Sequence, residues 1–360
     1  MPRLPTSLLI KAWEENPLLP RLLRECRTLV SARNELRWLR ERAQRETPSR
    51  EWRTRLRAMC RQRSRGVPLQ YIIGDQPFGD LEILCERGVL IPRSDTESFT
   101  NEAAKTIQGM AKSRNEHSNS KSLRILDLCT GTGCIALLLH QLLSPNFNLK
   151  IFGVDISPIA LNLAQRNLAH NLEQGYLSEA ASTQVQFLRA DVLSQGTSEL
   201  PTVEEILPQL YEHEPKSHEP GSGIETESQL DLLISNPPYI SNKDFWNGTT
   251  SRSVRRFEPR LALVPPQSTL PDGCNAEDIF YHHILRLSLK YLARVTVLEC
   301  GDITQARQVV KMHDSMTKSL AQSGEEAKFD VRIWPKTEQE CDENGFHLYD
   351  GARCVIIRRM

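Results

Sequence analysis

Paired cysteines, long apolar runs and net charge are what this 360-residue chain has least of. Its nine cysteines (Cys26, Cys60, Cys85, Cys129, Cys134, Cys274, Cys300, Cys341 and Cys354) are scattered, with no C-x-x-C pair and no histidine couplet beside them. That spacing argues against a zinc site, so no metal is expected, and it fits reduced thiols in a reducing compartment. No stretch approaches the roughly 20 uncharged apolar residues that a bilayer span requires, which leaves no role for the membrane. Zero net charge, from 45 basic and 45 acidic residues, conceals an asymmetry. Residues 1–66 hold 17 Lys and Arg against 7 Asp and Glu, a surplus of ten, so the remainder carries a net charge of −10. A basic first segment fits contact with nucleic acid, a ribonucleoprotein or an acidic partner, and equally a solvated helical surface. The N-terminus lacks the apolar core and cleavage site of a secretory signal. Its arginines suit a mitochondrial presequence, whereas Glu14, Glu15 and Glu25 count against one.

What is present is a change of pattern along the chain. Over 6–65, leucines such as Leu8, Leu22, Leu36 and Leu39 recur at helical spacing, and Pro17, Pro20 and Pro48 cut the run into at least three helices. Residues 1–66 therefore read as a helical domain. Between Gly66 and Glu97, the runs Tyr71-Ile72-Ile73, Leu81-Glu82-Ile83 and Val89-Leu90-Ile91 are β-type and punctuated by Gly and Pro, so 67–98 reads as a linker hairpin. From 99 to 360, apolar strands alternate with helices: strands at 124–128, 150–155, 185–188, 232–234, 295–299, 329–334 and 353–358, helices at 134–143, 158–170, 277–292 and 303–322. Such alternation implies an α/β fold, a mostly parallel sheet covered on both faces with an antiparallel edge at the end. Residues 110–121 read as a polar connector. Residues 194–230, rich in Pro, Glu, Ser and Gly, read as a flexible surface insertion.

The strand Leu232-Leu233-Ile234 closes in Ser235-Asn236-Pro237-Pro238-Tyr239. Proline donates no N–H, fixes its own φ and forces the preceding residue extended, so this is a stiff corner holding the Asn236 amide in one direction. Open α/β sheets bind ligands at such strand ends. A carboxamide oxygen and a prolyl carbonyl are two acceptors suited to an incoming –NH2 group. The plainer alternative is a strand-ending turn.

A second pattern stands upstream. Asp127-Leu128-Cys129-Thr130-Gly131-Thr132-Gly133 joins a strand to a helix, where glycines let a ligand approach backbone at a helix N-terminus. Asp155 ends the next strand 22 residues after Gly133, where an acid can accept both ribose hydroxyls of an adenosine. Asp191, with Val192 beside it, lies after the third strand, where a side chain can meet an adenine edge. Either aspartate could instead cap a helix. A nicotinamide enzyme is disfavoured: the loop lacks the full G-x-G-x-x-G, and no catalytic His or Tyr-Lys couple is evident.

Together these residues resemble class I S-adenosylmethionine-dependent methyltransferases, and Asn-Pro-Pro-Tyr resembles the signature of those that methylate a planar –NH2. Two branches share it, adenine-N6 and protein glutamine-N5 methyltransferases. Pro68-Leu69-Gln70-Tyr71-Ile72-Ile73-Gly74, Val89-Leu90-Ile91-Pro92-Arg93-Ser94-Asp95-Thr96-Glu97, Arg256-Phe257-Glu258-Pro259-Arg260 and Leu298-Glu299-Cys300-Gly301 resemble the peptide chain release factor glutamine methyltransferases of the HemK/PrmC type. Cys129 stands where that family has its first loop glycine, Ser94-Asp95 replaces its Pro-Glu pair, and the insertion is longer than its norm.

The resemblance implies a Rossmann-like seven-stranded methyltransferase sheet with a helical N-terminal bundle that docks substrate. It implies methyl transfer from S-adenosylmethionine to the glutamine side-chain nitrogen in the Gly-Gly-Gln loop of a class I release factor, by a monomer. On that reading Asn236, Pro237, Pro238 and Tyr239 grip the amide, and Arg93 and Glu97 shape the pocket lip. Asp127, Cys129, Thr130, Gly131, Thr132, Gly133, Asp155, Asp191, Val192 and Asn236 bind the cofactor. The rival reading, an adenine-N6 methyltransferase, needs a basic groove for phosphates, and the negative catalytic half offers none. The eukaryotic look of the departures points to a mitochondrial factor, with the cytoplasm as the other compartment.

Overall fold

The N-terminal leucines fold as their spacing requires. The computed structural model describes residues 3–47, 51–113, 122–194, 199–211, 229–267, 269–271, 273–322, 327–335 and 353–360. The leucines lie on α1 (Thr6–Glu15), α2 (Leu19–Cys26), α3 (Leu29–Glu46) and α4 (Trp52–Arg63). Thr28 starts α3 by accepting from the Ser31 amide at 3.2 Å, which satisfies one orphan donor of the first turn. Leu19, Leu22, Leu39 and Met59 close a core of their own, and Arg63 grips Glu35 at 2.7 and 3.0 Å beside it.

Two sequence expectations for the linker are corrected. Leu69–Ile73 is not a strand but a short helix, α5, begun after Pro68 and ended by Gly74 at φ 98°. A five-residue segment carries no period that separates helix from strand, and the flanking Pro and Gly fit a helix's ends. Val89-Leu90-Ile91 forms no strand either. Its backbone is satisfied by side chains instead: Tyr71 donates to the Val89 carbonyl (2.6 Å) and the Ile91 N–H donates to Glu258 (3.3 Å). Between them β1 (Asp75–Phe78) and β2 (Leu81–Leu84) make the expected antiparallel hairpin.

Ser94–Glu97, read as the end of the linker, is the first turn of α6 (Ser94–Ser113), where Asp95 and Glu97 complement the helix N-terminus. The rest of the polar connector, 114–121, lies outside the described residues. The alternation then runs β3 (Ser122–Leu128), α7 (Cys134–Leu143), β4 (Asn148–Asp155), α8 (Pro158–Glu173), α9 (Ala181–Gln184) and β5 (Val185–Arg189). Next come α10 (Val203–Ile206), α11 (Pro208–Tyr211), β6 (Leu232–Ser235), α12 (Asn242–Trp246) and α13 (Arg252–Phe257). The chain closes with α14 (Ile279–Lys290), β7 (Val295–Cys300), α15 (Ile303–Gln322), β8 (Phe329–Trp334) and β9 (Arg353–Arg359).

The seven strands β3 to β9 form one sheet in the order β5-β4-β3-β6-β7-β9-β8. All neighbours are parallel except β9, which is antiparallel to both β7 and β8. Alternate residues serve opposite faces: Leu123 and Ile125 pack beneath α6 and α7, Leu126 and Leu128 beneath α14. Such strands read as continuous apolar runs because both faces are buried. The expected insertion at 194–230 is narrower than its composition suggests. Val203, Ile206, Leu207 and Leu210 are buried in the second core, and Thr202 and Glu205 form a capping box. Residues 195–198 and 212–228 lie outside the described residues. Strand order reverses between β3 and β6, whose ends pair Leu128 with Ser235. That register sets the 129–133 loop and the Asn236 corner side by side, where ligands of open sheets bind.

Candidate active site

The loop after β3 needs unusual backbone. Cys129, Gly131 and Gly133 have φ of 60°, 56° and 79°. At Gly131 an added Cβ would find nothing nearer than 4.0 Å, while at Gly133 it would come within 2.8 Å of the Phe187 ring. Gly131 therefore opens onto a cavity, and Gly133 is a packing glycine. The Gly131 N–H donates to Asp155 Oδ2 at 2.9 Å, and Asp155 Oδ1 accepts from Ser157 N–H at 2.9 Å. The capping of α8 falls to Ser157, which accepts from Ala160. Asp155 thus bridges the loop and the helix start while keeping acceptor capacity for a ligand hydroxyl. Burial raises its carboxyl above the ordinary range, against three backbone N–H groups that lower it.

A cavity of about 610 Å³ lies over this loop, lined by Cys129, Thr130, Gly131, Thr132, Asp155, Asp191, Val192, Asn236 and Pro238. Asp191, on the cavity wall, accepts from Leu193 N–H through Oδ1 (2.9 Å). Two residues expected on the cofactor do not reach it. Asp127 is wholly buried and holds Thr130 by accepting from its hydroxyl at 2.5 Å. Its burial pushes the carboxyl up to about 7, against the Thr130 hydroxyl and the Ala136 N–H that lower it. Asp127 shapes the loop, and Gly133 packs it down. Neither lines the cavity.

At the Asn236 corner this cavity meets a second one of about 990 Å³, lined by Pro237, Tyr239, Asp95 and Glu299. Asn236, Arg93, Pro92, Leu90 and Ala262 line both. Asn236 Nδ2 donates to Thr96 Oγ1 at 3.1 Å, and Thr96 Oγ1 donates to Glu299 Oε2 at 2.7 Å. Tyr239 donates to Glu299 Oε1 at 3.3 Å, and its ring stands against Gly301, where a Cβ would lie 3.2 Å from it. Glu299 is 3% exposed, and burial raises its carboxyl to about 7. Arg93 Nη2 meets both oxygens of the buried Glu258, at 2.7 and 2.8 Å. Glu97, expected at the lip, lines neither cavity; the first turn of α6 presents Asp95 and Thr96 instead. Sequence pattern alone does not single out Thr96 and Glu299, although both stand in segments that carry the family resemblance. A lone acid closing an apolar strand beside the Asn236 strand was the available signal.

Among the described residues no group of three His, Cys, Asp or Glu could hold a metal ion, and no helix is long and apolar enough to cross a membrane. The sheet order, the loop opened by Gly131 and the acid at the end of β4 define an S-adenosylmethionine-dependent methyltransferase. Asp155, with lone pairs to spare, and the Cβ-free Gly131 fit an adenosyl group's hydroxyls and close approach. A family described as a methyltransferase domain matches residues 119–194. The chain is 36% identical over 264 residues to the Mitochondrial MRF1 N(5)-glutamine methyltransferase MTQ1 of Saccharomyces cerevisiae, spanning 73% of this chain and 68% of that one. It is 31% identical to the Probable MRF1 mitochondrial N(5)-glutamine methyltransferase mtq1 of Schizosaccharomyces pombe, spanning 87% and 90%. With the Release factor glutamine methyltransferase of Chlorobaculum tepidum it shares 34% identity over 58% of this chain and 57% of that one. The N-terminal domain of human METTL16 overlays at a TM-score of 0.43 with 17% identity over 83% of this chain and 81% of that one, too distant to bear on substrate. The chain belongs to the N(5)-glutamine methyltransferase family.

Proposed function

We propose that this chain methylates the side-chain amide nitrogen of the glutamine in the Gly-Gly-Gln loop of a class I peptide chain release factor, in mitochondria. The observation that carries the reading is the direction of the Asn236 amide. Its Nδ2 is taken by Thr96, so Oδ1 is the atom left to accept from a substrate –NH2. The relatives' names favour glutamine over adenine, and two of them name the mitochondrion.

S-adenosylmethionine, when bound, supplies a methyl group on a positively charged sulfur. Cys129, Thr130, Gly131, Thr132 and Asp155 would hold its sugar and amino-acid portions, and Asp191 and Val192 would meet the base. An amide nitrogen is a poor nucleophile because its lone pair is delocalised into the carbonyl. Asn236 Oδ1 and the Pro237 carbonyl accept its two N–H groups and favour the positive charge that develops on nitrogen. Pro238 stiffens the corner, and Tyr239 packs against the amide plane. Holding the nitrogen in line supplies proximity worth several kcal/mol. Arg93 forms the lip. The helical bundle is the docking surface for the release factor; its arginines and the exposed Trp13 and Trp38 support this.

The test is methyl transfer to purified mitochondrial release factor, located by mass spectrometry. Label on the Gly-Gly-Gln glutamine supports the reading. Label on an oligonucleotide and none on the release factor overturns it in favour of the adenine branch.

A further inference from the structure

We infer that Thr96 and Glu299 are positioning residues that decide which end of the Asn236 carboxamide faces the substrate, so that the site selects a carboxamide over a carboxylate. This rests on the proposed glutamine transfer and adds the source of its selectivity.

An ionised carboxylate has only acceptors to offer. While Glu299 is ionised, both hydroxyls that reach it, from Thr96 at 2.7 Å and Tyr239 at 3.3 Å, must therefore donate. A threonine hydroxyl has one proton. Once it is committed to Glu299, Thr96 Oγ1 can only accept, and the Asn236 atom 3.1 Å away must be the donor Nδ2. Oδ1 is then turned toward the two cavities. Thr96 and Glu299 are each 3% exposed, so water does not relax this chain of directed bonds.

The consequence is chemical. An acceptor in the slot is met by the –NH2 of glutamine and repels the oxygens of glutamate, which differ from the amide by little in shape. Glu299→Gln offers Thr96 a donor amide and frees the Thr96 proton for Asn236 Oδ1, so the Asn236 amide can turn over and present Nδ2. Thr96→Val keeps the volume and removes the bond. Thr96→Ser keeps the hydroxyl.

The experiment uses the full chain with release factor carrying Gly-Gly-Gln as substrate and the same protein carrying Gly-Gly-Glu as inhibitor. S-adenosylhomocysteine titration checks that each variant retains a folded cofactor site. Glu299→Gln and Thr96→Val are expected to lose kcat by at least about tenfold, on the scale of one preorganised polar group. Their inhibition by the Glu loop relative to KM for the Gln loop should tighten, while Thr96→Ser regains most of the rate lost in Thr96→Val. Wild-type discrimination in variants that bind S-adenosylhomocysteine overturns the inference. Orientation is also read without substrate. Nuclear Overhauser contacts between the Asn236 amide protons and the Thr96 methyl should be present in the wild type and weaken in Glu299→Gln. Equal contacts in both proteins overturn the inference. A wild type that leaves the release factor unmethylated strikes the glutamine reading instead, and the Overhauser comparison still decides the orientation.

Discussion

Glu258 binds Arg93 across 165 positions of chain, both carboxylate oxygens lying within 2.8 Å of one Nη2. Glu258 follows Phe257, whose ring joins the bundle core, and Ser253 on the same short helix donates to the Gly66 carbonyl at 2.6 Å. The lip of the site is thereby tied to the helical bundle. Arg93→Ala leaves a carboxylate with 2% side-chain exposure short of its cation. Because Arg93 itself is a third exposed, the loss is expected at about 2 kcal/mol, below the range for fully buried pairs. Urea unfolding of the variant against the wild type measures it.

Cys129 sits at φ 60° without being glycine. Left-handed backbone costs an L-residue about 1–2 kcal/mol, while glycine loses about 0.5–1 kcal/mol more entropy on folding. Cys129→Gly should therefore stabilise the chain by about 0.5 kcal/mol, seen as a small rise in Tm. A fall in Tm would mean that the thiol's packing outweighs the strain.

Glu299 couples stability and rate to pH in opposite directions. Burial raises its folded pKa from about 4.5 to about 7, so its contribution to stability is complete below about 4.5 and is lost as pH rises through about 7. The directed bonds to Thr96 and Asn236 need the ionised form, so kcat/KM should rise through the same interval. Asp95 and Arg93 face Glu299 from the α6 side, Tyr239 from the corner, and Cys134, Cys300 and Cys354 from the sheet and α7. Of these, Asp95 raises the carboxyl and Arg93 lowers it. In Glu299→Gln both slopes should vanish: a flat rate profile, and a Tm that gains on the wild type as pH rises. A wild-type rate limb that persists in the variant assigns the titration elsewhere.

Asp155→Ala removes the bridge from Gly131 to the start of α8 together with the ribose acceptors. Affinity for S-adenosylhomocysteine should fall at least about tenfold, since hydrogen bonds to a charged group are worth about 1.5–3 kcal/mol each. Titration calorimetry measures it, and unchanged affinity removes Asp155 from the cofactor's contacts.

Most of the sheet was legible because its strands are apolar on both faces and its helices are amphipathic: α7 is observed over Cys134–Leu143 as its pattern predicts, and the final antiparallel pair lies where two strands without a helix between them must go. Short segments were not legible. Tyr71-Ile72-Ile73 could be helix or strand by composition, and Val89-Leu90-Ile91 lost its strand to side-chain partners far along the chain. The site divided in the same way. Asn236 and Asp155 announce themselves through their turns, whereas Thr96 and Glu299 meet across 203 positions with only the fold to join them. Asp127 and Gly133 belong to the loop motif, yet they serve its packing, a distinction that requires the cavity wall.

The most direct measurement is a paired one on Asn236→Ala: methyl transfer to release factor, and calorimetric affinity for S-adenosylhomocysteine. If the corner's oxygen steers the substrate nitrogen, transfer is lost while the affinity stays within about threefold of the wild type, a difference under about 0.7 kcal/mol. Affinity lost in step with transfer, or transfer retained, contradicts the account.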